Sequence, residues 1–322
     1  MRVAVVVNSS AGGLLGRQGA ADEVARHLEA AGLDAVIVPD DPKGGLIGRL
    51  ETARRAGADA VVVGGGDGTI AAAAGFLAGT DTALGILPLG TMNQLAKDLR
   101  IPLGLAEATD ALAGGAVRRI DVGDVNGHVF LCNSVLGFPS RLAVRREGLR
   151  GRGGVRDWLR FALAGLRALY RYPPLRLALR MGPEGRLRVR TRLLAVANNA
   201  YDEGFGQIMT RSHLDRGELV LYLGRDLGLG SLLRLSAGMA LGDWRDTGAL
   251  ESRSVRRLVV GCGRTTRLRV MNDGEVRLLR PPLRYRIRPG ALKVIVPKDA
   301  LPKAEPVAEG GPPLAEAEPA VT

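Results

Sequence analysis

The first 120 residues alternate short apolar runs with stretches of helical periodicity, and this alternation constrains the fold more than any other feature of the sequence. The predicted strands are 3–7, 35–38, 60–63 and 83–87, and the predicted helices are 18–31, 47–56 and 70–77. Such alternation indicates parallel strands joined by right-handed crossovers. Ligands of such sheets bind at the carboxyl ends of the strands.

After residue 120 the sequence changes to short strands punctuated by Gly, Pro and Asp-Gly, which is typical of antiparallel β structure. The predicted strands are 122–125, 129–133, 175–180, 187–197, 219–222, 256–260, 266–270, 285–288 and 292–296. Two helical stretches, 155–171 and 231–241, interrupt them. We therefore predict an α/β + β chain: a parallel α/β domain over 1–120, an antiparallel β sandwich or barrel over 121–297, and a cleft between them. The tail 298–322, rich in Pro, Ala, Glu and Gly, is expected to be disordered.

Composition excludes several classes of protein. The chain has 322 residues and is 46% hydrophobic, which is enough to fill a core. Two cysteines, Cys132 and Cys262, and three scattered histidines provide neither a zinc cluster nor a disulfide framework. No apolar run reaches the ~18 residues of a membrane span, and the N-terminus lacks the features of a signal peptide. We expect a cytoplasmic protein, peripheral at the membrane.

The net charge of +12 favours anionic partners: nucleic acid, acidic membranes or phosphorylated ligands. Aromatic residues make up only 4% of the chain, which argues against binding of single strands by base stacking. A nucleic-acid partner would rest on charge alone, and we do not expect one.

Three glycine-rich turns follow three of the predicted strands, at residues 8–13, 64–69 and 88–93. Glycine lets the backbone approach a ligand and turn its N–H groups toward phosphate, and a following helix N-terminus favours anions. Asp67 lies in the second turn, and a carboxylate beside phosphates indicates Mg²⁺ or a proton acceptor. One such turn is often only tight-turn chemistry, but three at successive strand ends predict a nucleotide-binding domain. Neither Walker A nor GxGxxG spacing is present.

Residues 65–69 and 88–93, read as GGDGT and PLGTMN, resemble the catalytic domain of the diacylglycerol kinase and sphingosine kinase superfamily, particularly its soluble bacterial lipid kinases. Residues 8–13 are similar to the first nucleotide loop of that superfamily. Residues 197–199 with Gly204 resemble its ANN segment, 213–219 its DGxLD segment, and 272–275 its late DGE motif. The resemblance implies an ATP- and Mg²⁺-dependent kinase that transfers the γ-phosphate to a lipid hydroxyl. It also implies that the last segment returns to the first domain.

The resemblance assigns roles to individual residues. Glu275 or Asp273 would accept the proton of the lipid hydroxyl, and Asp67 would act through Mg²⁺ or water or as a base. Asp215, helped by carbonyls such as those of Ser212 and Gly217, would hold a structural Mg²⁺. The residues implied to contact ATP are Asn8, Ser9, Ser10, Ala11, Gly12, Gly65, Gly66, Asp67, Gly68, Thr69, Gly90, Thr91 and Asn93. The alternative for residues 273–274 and for Asp215 is a plain turn.

The sequence departs from the family pattern at several positions. Ile70 and the alanines after it replace a polar Asn-Glu pair, Gln94 replaces a carboxylate, Arg216 replaces an acid, and residues 38–40 contain no threonine. With these changes, the protein could have reduced kinase activity or use a different acceptor. The alternatives are an NAD kinase and a nucleotide- or lipid-binding protein with little catalysis.

The stretch 155–171 reads as a basic amphipathic helix. Four arginines fall within a sector of roughly 60° at 100° per residue: Arg156, Arg160, Arg167 and Arg171. Such a helix favours transient contact with an anionic membrane surface. The alternative is a helix packed on its own sheet with a solvated basic face. The expected partner is a membrane-derived lipid acceptor, whose identity the sequence leaves open. The sequence also leaves open whether the protein forms a homodimer.

Overall fold

The computed structural model of the chain describes residues 1–8, 20–41, 43–137, 173–182, 186–204, 209–224, 228–245, 247–263, 265–298 and 300. The helices in this part of the chain are α1 (Ala20–Ala30), α2 (Gly45–Arg55), α3 (Asp67–Leu77), α4 (Gln94–Asp98), α5 (Leu105–Ala113) and α6 (Leu229–Leu241). The first eight strands are β1 (Arg2–Val7), β2 (Asp34–Ile37), β3 (Ala60–Gly65), β4 (Ala83–Pro88), β5 (Ala116–Val125), β6 (His128–Phe130), β7 (Asn133–Gly137) and β8 (Leu175–Arg180). The remaining strands are β9 (Leu187–Thr191), β10 (Leu193–Asn198), β11 (Leu219–Gly224), β12 (Glu251–Val255), β13 (Arg257–Gly261), β14 (Leu268–Asn272), β15 (Glu275–Leu279) and β16 (Leu283–Val296).

The N-terminal domain is built on four parallel strands in the order β2-β1-β3-β4. Strands β3 and β4 are buried along their whole length, as expected for parallel strands covered by helices on both faces. The predicted parallel α/β architecture is therefore confirmed. Because β3 and β4 are neighbours, the two glycine-rich turns that follow them lie side by side.

Strand β16 joins the two domains. Its last residues pair in parallel with β4 through Val294 and Leu84, and with β5 through the register Leu292–Val296. Its first residues pair with β13, as in Arg257 with Arg286. The register shifts between Arg288 and Leu292, where Gly290 has a φ of +54°. One sheet therefore runs from the α/β domain into the β domain, and the chain's last described strand returns to the first domain.

The C-terminal domain is a sandwich. Strands β16, β13, β8 and β9 form one layer, and an antiparallel sheet in the order β12-β11-β10-β7-β14-β15 forms the other. Apolar side chains from both layers fill the space between them, among them Leu136, Leu177, Leu221 and Leu258. A smaller cluster under α6 contains Tyr201, Tyr222, Leu235 and Trp244. The predicted antiparallel β domain is confirmed as a sandwich.

Several predicted boundaries were wrong. Residues 187–197 form two strands in different layers, β9 and β10. The break follows Thr191, whose buried hydroxyl lies within hydrogen-bond distance of the carbonyls of Leu193 and Gly224 (2.6 and 2.7 Å) and can donate its one proton to either. Helix α3 begins at Asp67, three residues before the predicted start at Ile70.

Two further predictions fall outside the described residues: the basic helix over 155–171 and all but the start of the tail. None of the described helices combines the length and the apolar character needed to cross a bilayer.

Candidate active site

The GGDGT turn joins β3 to α3. Gly66 is the residue before the helix, so Asp67, Gly68 and Thr69 form its first turn rather than a free loop. Within the described residues no side chain caps this helix end, and first-turn N–H groups in such a position are available to an anion. Asn8 at the end of β1 donates from Nδ2 to Thr69 Oγ1 (2.8 Å), which fixes the hydroxyl beside the turn.

The PLGTMN turn packs directly against the GGDGT turn. A Cβ on Gly90 would lie 2.5 Å from the Cα of Gly66, so only glycine allows this approach. Asn93, predicted to contact ATP, is buried and braces its own turn. Its Oδ1 accepts from Gly90 N (2.9 Å), and its Nδ2 donates to the carbonyls of Pro88 and Gly90 (3.1 and 2.9 Å). Thr91 is exposed at the tip.

Asp67 links the two turns. Its Oδ2 accepts from Asn93 N (2.9 Å), and its Oδ1 accepts from Gln94 N (2.6 Å), at the start of α4. Each carboxylate oxygen has two acceptor positions, so among the described residues one on each oxygen remains for a metal-bound or free water. Asp67 therefore positions the site and keeps the capacity for the Mg²⁺ role predicted for it.

The DGE motif forms the hairpin turn between β14 and β15, with Asp273 at a φ of +47°. The Asp273 carboxylate accepts three backbone N–H groups, from Leu131 (2.7 Å), Cys132 (2.8 Å) and Asn133 (2.9 Å). Burial raises the pKa of Asp273, and these three hydrogen bonds oppose the increase. With three of its four acceptor positions taken by backbone N–H groups, Asp273 is built to hold the turn.

Glu275 is the accessible carboxylate of the motif. It is about half exposed, and its Oε2 accepts from the Arg277 guanidinium at 3.1 Å. Its Oε1 lies against the backbone of Gly68, so close that a Cβ at residue 68 would overlap it. The structure thus brings Glu275 from the β domain onto the first turn of α3, where the resemblance places the nucleotide phosphates.

A cavity of about 500 Å³ lies where the two domains meet. The polar side chains in its lining come from both domains: Asp67, Asn93, Gln94, Asn133 and Asp273. Apolar side chains dominate the rest of its wall, including Ile70, Met92, Leu131, Val135, Ala195, Tyr201, Met209, Tyr222, Leu235, Met239, Trp244, Leu250 and Met271. Thioether side chains adapt to ligands of different shape, and four methionines line this cavity. This lining suits an apolar ligand that carries a polar group.

An ion pair buried at the same junction was not predicted. Arg211 donates from Nε and Nη2 to Asp98 Oδ2 (3.1 and 2.5 Å), and both side chains are fully buried. Burial raises the pKa of Asp98, and the adjacent Arg211 opposes the increase. The two residues are 113 positions apart in the sequence, so no local pattern identified them.

The residues predicted to hold a structural Mg²⁺ give a weak set of ligands. Ser212 donates its hydroxyl to Asp202 (2.7 Å), Gly217 N donates to Asp121 (2.6 Å), and Asp215 is exposed. In the described part of the chain no three His, Cys, Asp or Glu side chains group as metal ligands. One exposed carboxylate with carbonyls fits a cation poorly, and this site stays a prediction. Four residues of the predicted ATP loop, Ser9, Ser10, Ala11 and Gly12, lie outside the described residues.

Comparison with known proteins agrees with this architecture. Residues 2–125 match the diacylglycerol kinase catalytic domain, and residues 144–296 match the YegS C-terminal NAD kinase beta sandwich-like domain. A Pseudomonas fluorescens protein named "probable lipid kinase YegS-like" is 30% identical over 303 residues, which cover 89% of this chain and 95% of that protein. A Bacillus subtilis diacylglycerol kinase is 41% identical over 76 residues, 23% of this chain and 25% of that protein.

A solved structure shares the fold. A diacylglycerol kinase from Bacillus anthracis str. Sterne superposes with a TM-score of 0.67 at 19% identity, covering 93% of this chain and 98% of that one. The full-length similarity to the Pseudomonas fluorescens protein and the two domain matches together determine the family. The chain therefore belongs to the YegS-like lipid kinases, phosphotransferases built on a diacylglycerol kinase catalytic domain.

Proposed function

We propose that this protein transfers the γ-phosphate of Mg²⁺-ATP to the hydroxyl of a membrane-derived lipid bound in the cavity between its domains. The observation that carries the proposal is the cavity itself. Its wall is mostly apolar, and its polar lining includes Asp67 of the GGDGT turn and Asp273 of the DGE turn. A lipid chain in the apolar part would place its head group between the two motifs.

The nucleotide side of the site is the pair of glycine turns. Gly66 and Gly90 pack so closely that the ligand meets backbone rather than side chains, and the open first turn of α3 favours an anion. The residues proposed to hold the phosphates are Asn8, Gly65, Gly66, Gly68, Thr69, Gly90 and Thr91, together with residues 9–12. A bound Mg²⁺ would neutralise charge on the transferring phosphoryl group, and Asp67 is the residue placed to hold it through water.

We assign the role of proton acceptor to Glu275. Its carboxylate is accessible, whereas Asp273 is committed to three backbone N–H groups. Glu275 follows the cavity-lining Asp273 and Gly274 in the sequence, and its Oε1 lies against Gly68 in the first turn of α3, so it adjoins both the cavity and the proposed phosphate site. A carboxylate at that position can take the hydroxyl proton as the oxygen attacks the γ-phosphate.

The acceptor would reach the cavity from a membrane surface. Two leucines of α6, Leu233 and Leu241, are 63% and 66% exposed, while Leu235 and Met239 of the same helix line the cavity. Met92 and Met209, which also line it, are 50% and 44% exposed. Apolar exposure beside an apolar cavity favours contact with lipid.

Transfer of labelled γ-phosphate tests the proposal. The purified protein would be incubated with Mg²⁺-ATP and a panel of lipids in mixed micelles: a diacylglycerol, a sphingoid base, phosphatidylglycerol and a polyprenol. We expect label in a lipid, with at least a 10²-fold lower rate for Glu275→Ala, the size of a general-base contribution. NAD⁺ is included as a competing acceptor.

Label in NADP⁺ instead of a lipid would contradict the proposal. ATP binding without transfer to any acceptor would also contradict it and would favour a nucleotide- or lipid-binding protein with little catalysis.

A further inference from the structure

A series of hydrogen bonds, closed by the approach of Glu275 to Gly68, crosses between the domains beside the cavity. We call it the junction ring. Its members are Asp67, Gly68, Asn93, Gln94, Asp98, Leu131, Cys132, Asn133, Arg211, Asp273 and Glu275. A ring of this kind determines how far apart its opposite sides can lie, so each link affects the spacing of the two catalytic motifs.

The N-terminal half of the ring runs through α4. Asp67 accepts the N–H groups of Asn93 and Gln94 at the start of this helix, and Asp98 closes its other end. Gln94 Nε2 also lies 3.4 Å from Asp98 Oδ1, along the same helix face. A short helix therefore connects the carboxylate of the GGDGT turn rigidly to the buried carboxylate of Asp98.

The C-terminal half runs through the segment from Leu131 to Asn133. Arg211 Nη1 donates to the carbonyls of Leu131 and Asn198, both at 2.7 Å. The N–H groups of the same segment hold the Asp273 carboxylate, and Asp273 N donates back to Asn133 O (2.9 Å). The DGE turn is thus attached to this segment, which Arg211 in turn attaches to Asp98.

Arg211 forms the buried crossing between the domains in this ring, and the approach of Glu275 to Gly68 forms the other. Its planar guanidinium has five N–H donors in fixed directions, which lets one side chain bind Asp98 and both carbonyls at the same time. A lysine has one nitrogen on a flexible chain and cannot reproduce this arrangement. Arg211 itself is fully buried and, within the described residues, forms no hydrogen bond with Asp273, so it acts on the DGE turn through the 131–133 segment.

We propose that Arg211 is a positioning residue: by joining Asp98 to Leu131 and Asn198, it sets the spacing between the DGE turn and the first turn of α3. That spacing fixes Glu275 against Gly68 and hence against the nucleotide. The inference rests on the proposed function, in which Glu275 accepts the proton. A misplacement of ~1 Å between reacting groups lowers rates about 10²-fold, so a small change in the ring has a large expected effect.

The first test is Arg211→Lys, with Leu177→Ala as a control for stability. Leu177 is buried in the core of the sandwich, and its truncation lowers stability without touching the ring. We expect kcat of Arg211→Lys to fall about 10²-fold at saturating lipid while the KM for ATP changes less than threefold. Leu177→Ala should keep its kcat at a temperature where both variants are fully folded. Equal kcat values in the two variants would overturn the proposal.

Hydrogen exchange provides a readout that does not depend on activity. The amides of Leu131, Cys132 and Asn133 should lose protection in Arg211→Lys and keep it in Leu177→Ala. Unchanged protection of these amides would overturn the ring even if the wild-type protein phosphorylated no lipid, which separates this inference from the proposed function. If Arg211→Lys does not fold, Asp98→Asn tests the same link from the other domain with the same expected results.

Discussion

Gly68→Ala separates catalysis from stability. A Cβ at residue 68 would lie roughly 1 Å closer to Glu275 Oε1 than the ~3.5 Å of van der Waals contact. The Glu275 side chain is flexible and half exposed, so it can retreat at little cost to the fold. We therefore expect the carboxylate to leave the first turn of α3 by about 1 Å, which would lower kcat about 10²-fold, or about 2.7 kcal/mol of transition-state stabilisation.

The stability of Gly68→Ala should increase although its kcat falls. Gly68 does not have a positive φ, so alanine fits its backbone and reduces the entropy of the unfolded chain, for a gain of about 0.4–1 kcal/mol. Gly75→Ala is the matched control in the same helix. Its Cβ would lie 3.6 Å from the Cβ of Val129, which is ordinary contact. Gly75→Ala should therefore gain similar stability and keep wild-type kcat.

The assay combines thermal unfolding with kcat for lipid phosphorylation at saturating Mg²⁺-ATP. Adding Gly68→Ala to Glu275→Gln should cause little further loss of kcat, because both changes act through the same carboxylate. Wild-type kcat in Gly68→Ala would refute the reasoning. So would full additivity in the double variant, since it would mean that residue 68 acts independently of Glu275.

Three further predictions address the surrounding structure. Asp273→Asn places an amide N–H₂ against backbone donors, so the free energy of unfolding should fall by about 1–3 kcal/mol in a urea titration, and a wild-type midpoint would contradict the assigned role. Burial raises the pKa of the Cys132 thiol well above its ordinary value, so Ellman's reagent should react quickly with Cys262 alone until the protein is unfolded; two fast thiols would argue against a buried Cys132. Leu241→Glu should reduce co-sedimentation with lipid vesicles severalfold, whereas Ile47→Glu, equally apolar and 49% exposed on α2, should not; equal loss in both would place the membrane contact elsewhere.

The order of the elements and the position of the nucleotide turns could be predicted because both depend on local pattern. Strand–helix alternation requires parallel strands, and glycine-rich turns after neighbouring strands converge at one edge of the sheet. The Asp-Gly turn at 273–274 was likewise visible, but the strand that follows it, β15, was not predicted. The departures at Gln94 and Ile70 were also visible, and both residues line the cavity wall.

Which carboxylates are held by backbone hydrogen bonds, and which one is accessible, could not be predicted. Asp67 and Gln94 are 27 positions apart, and Asp273 and Cys132 are 141 apart, so their hydrogen bonds exist only once β3, β4, β7 and β14 are assembled. The ion pair between Arg211 and Asp98 could not be predicted either, because the two residues are 113 positions apart. A sequence pattern identifies acidic residues in functional motifs, but only the folded backbone determines which carboxylate remains accessible.

Photolabelling with a lipid acceptor tests the central claim most directly. The probe would carry a diazirine near the end of its acyl chain, and the labelled residues would be mapped by mass spectrometry with and without an excess of unmodified lipid. The account predicts competable labelling of the cavity wall, at Tyr222, Met239 and Leu250 of the β domain. Labelling confined to the outer surface of the α/β domain, or labelling that unmodified lipid does not reduce, would contradict a lipid acceptor held between the two domains.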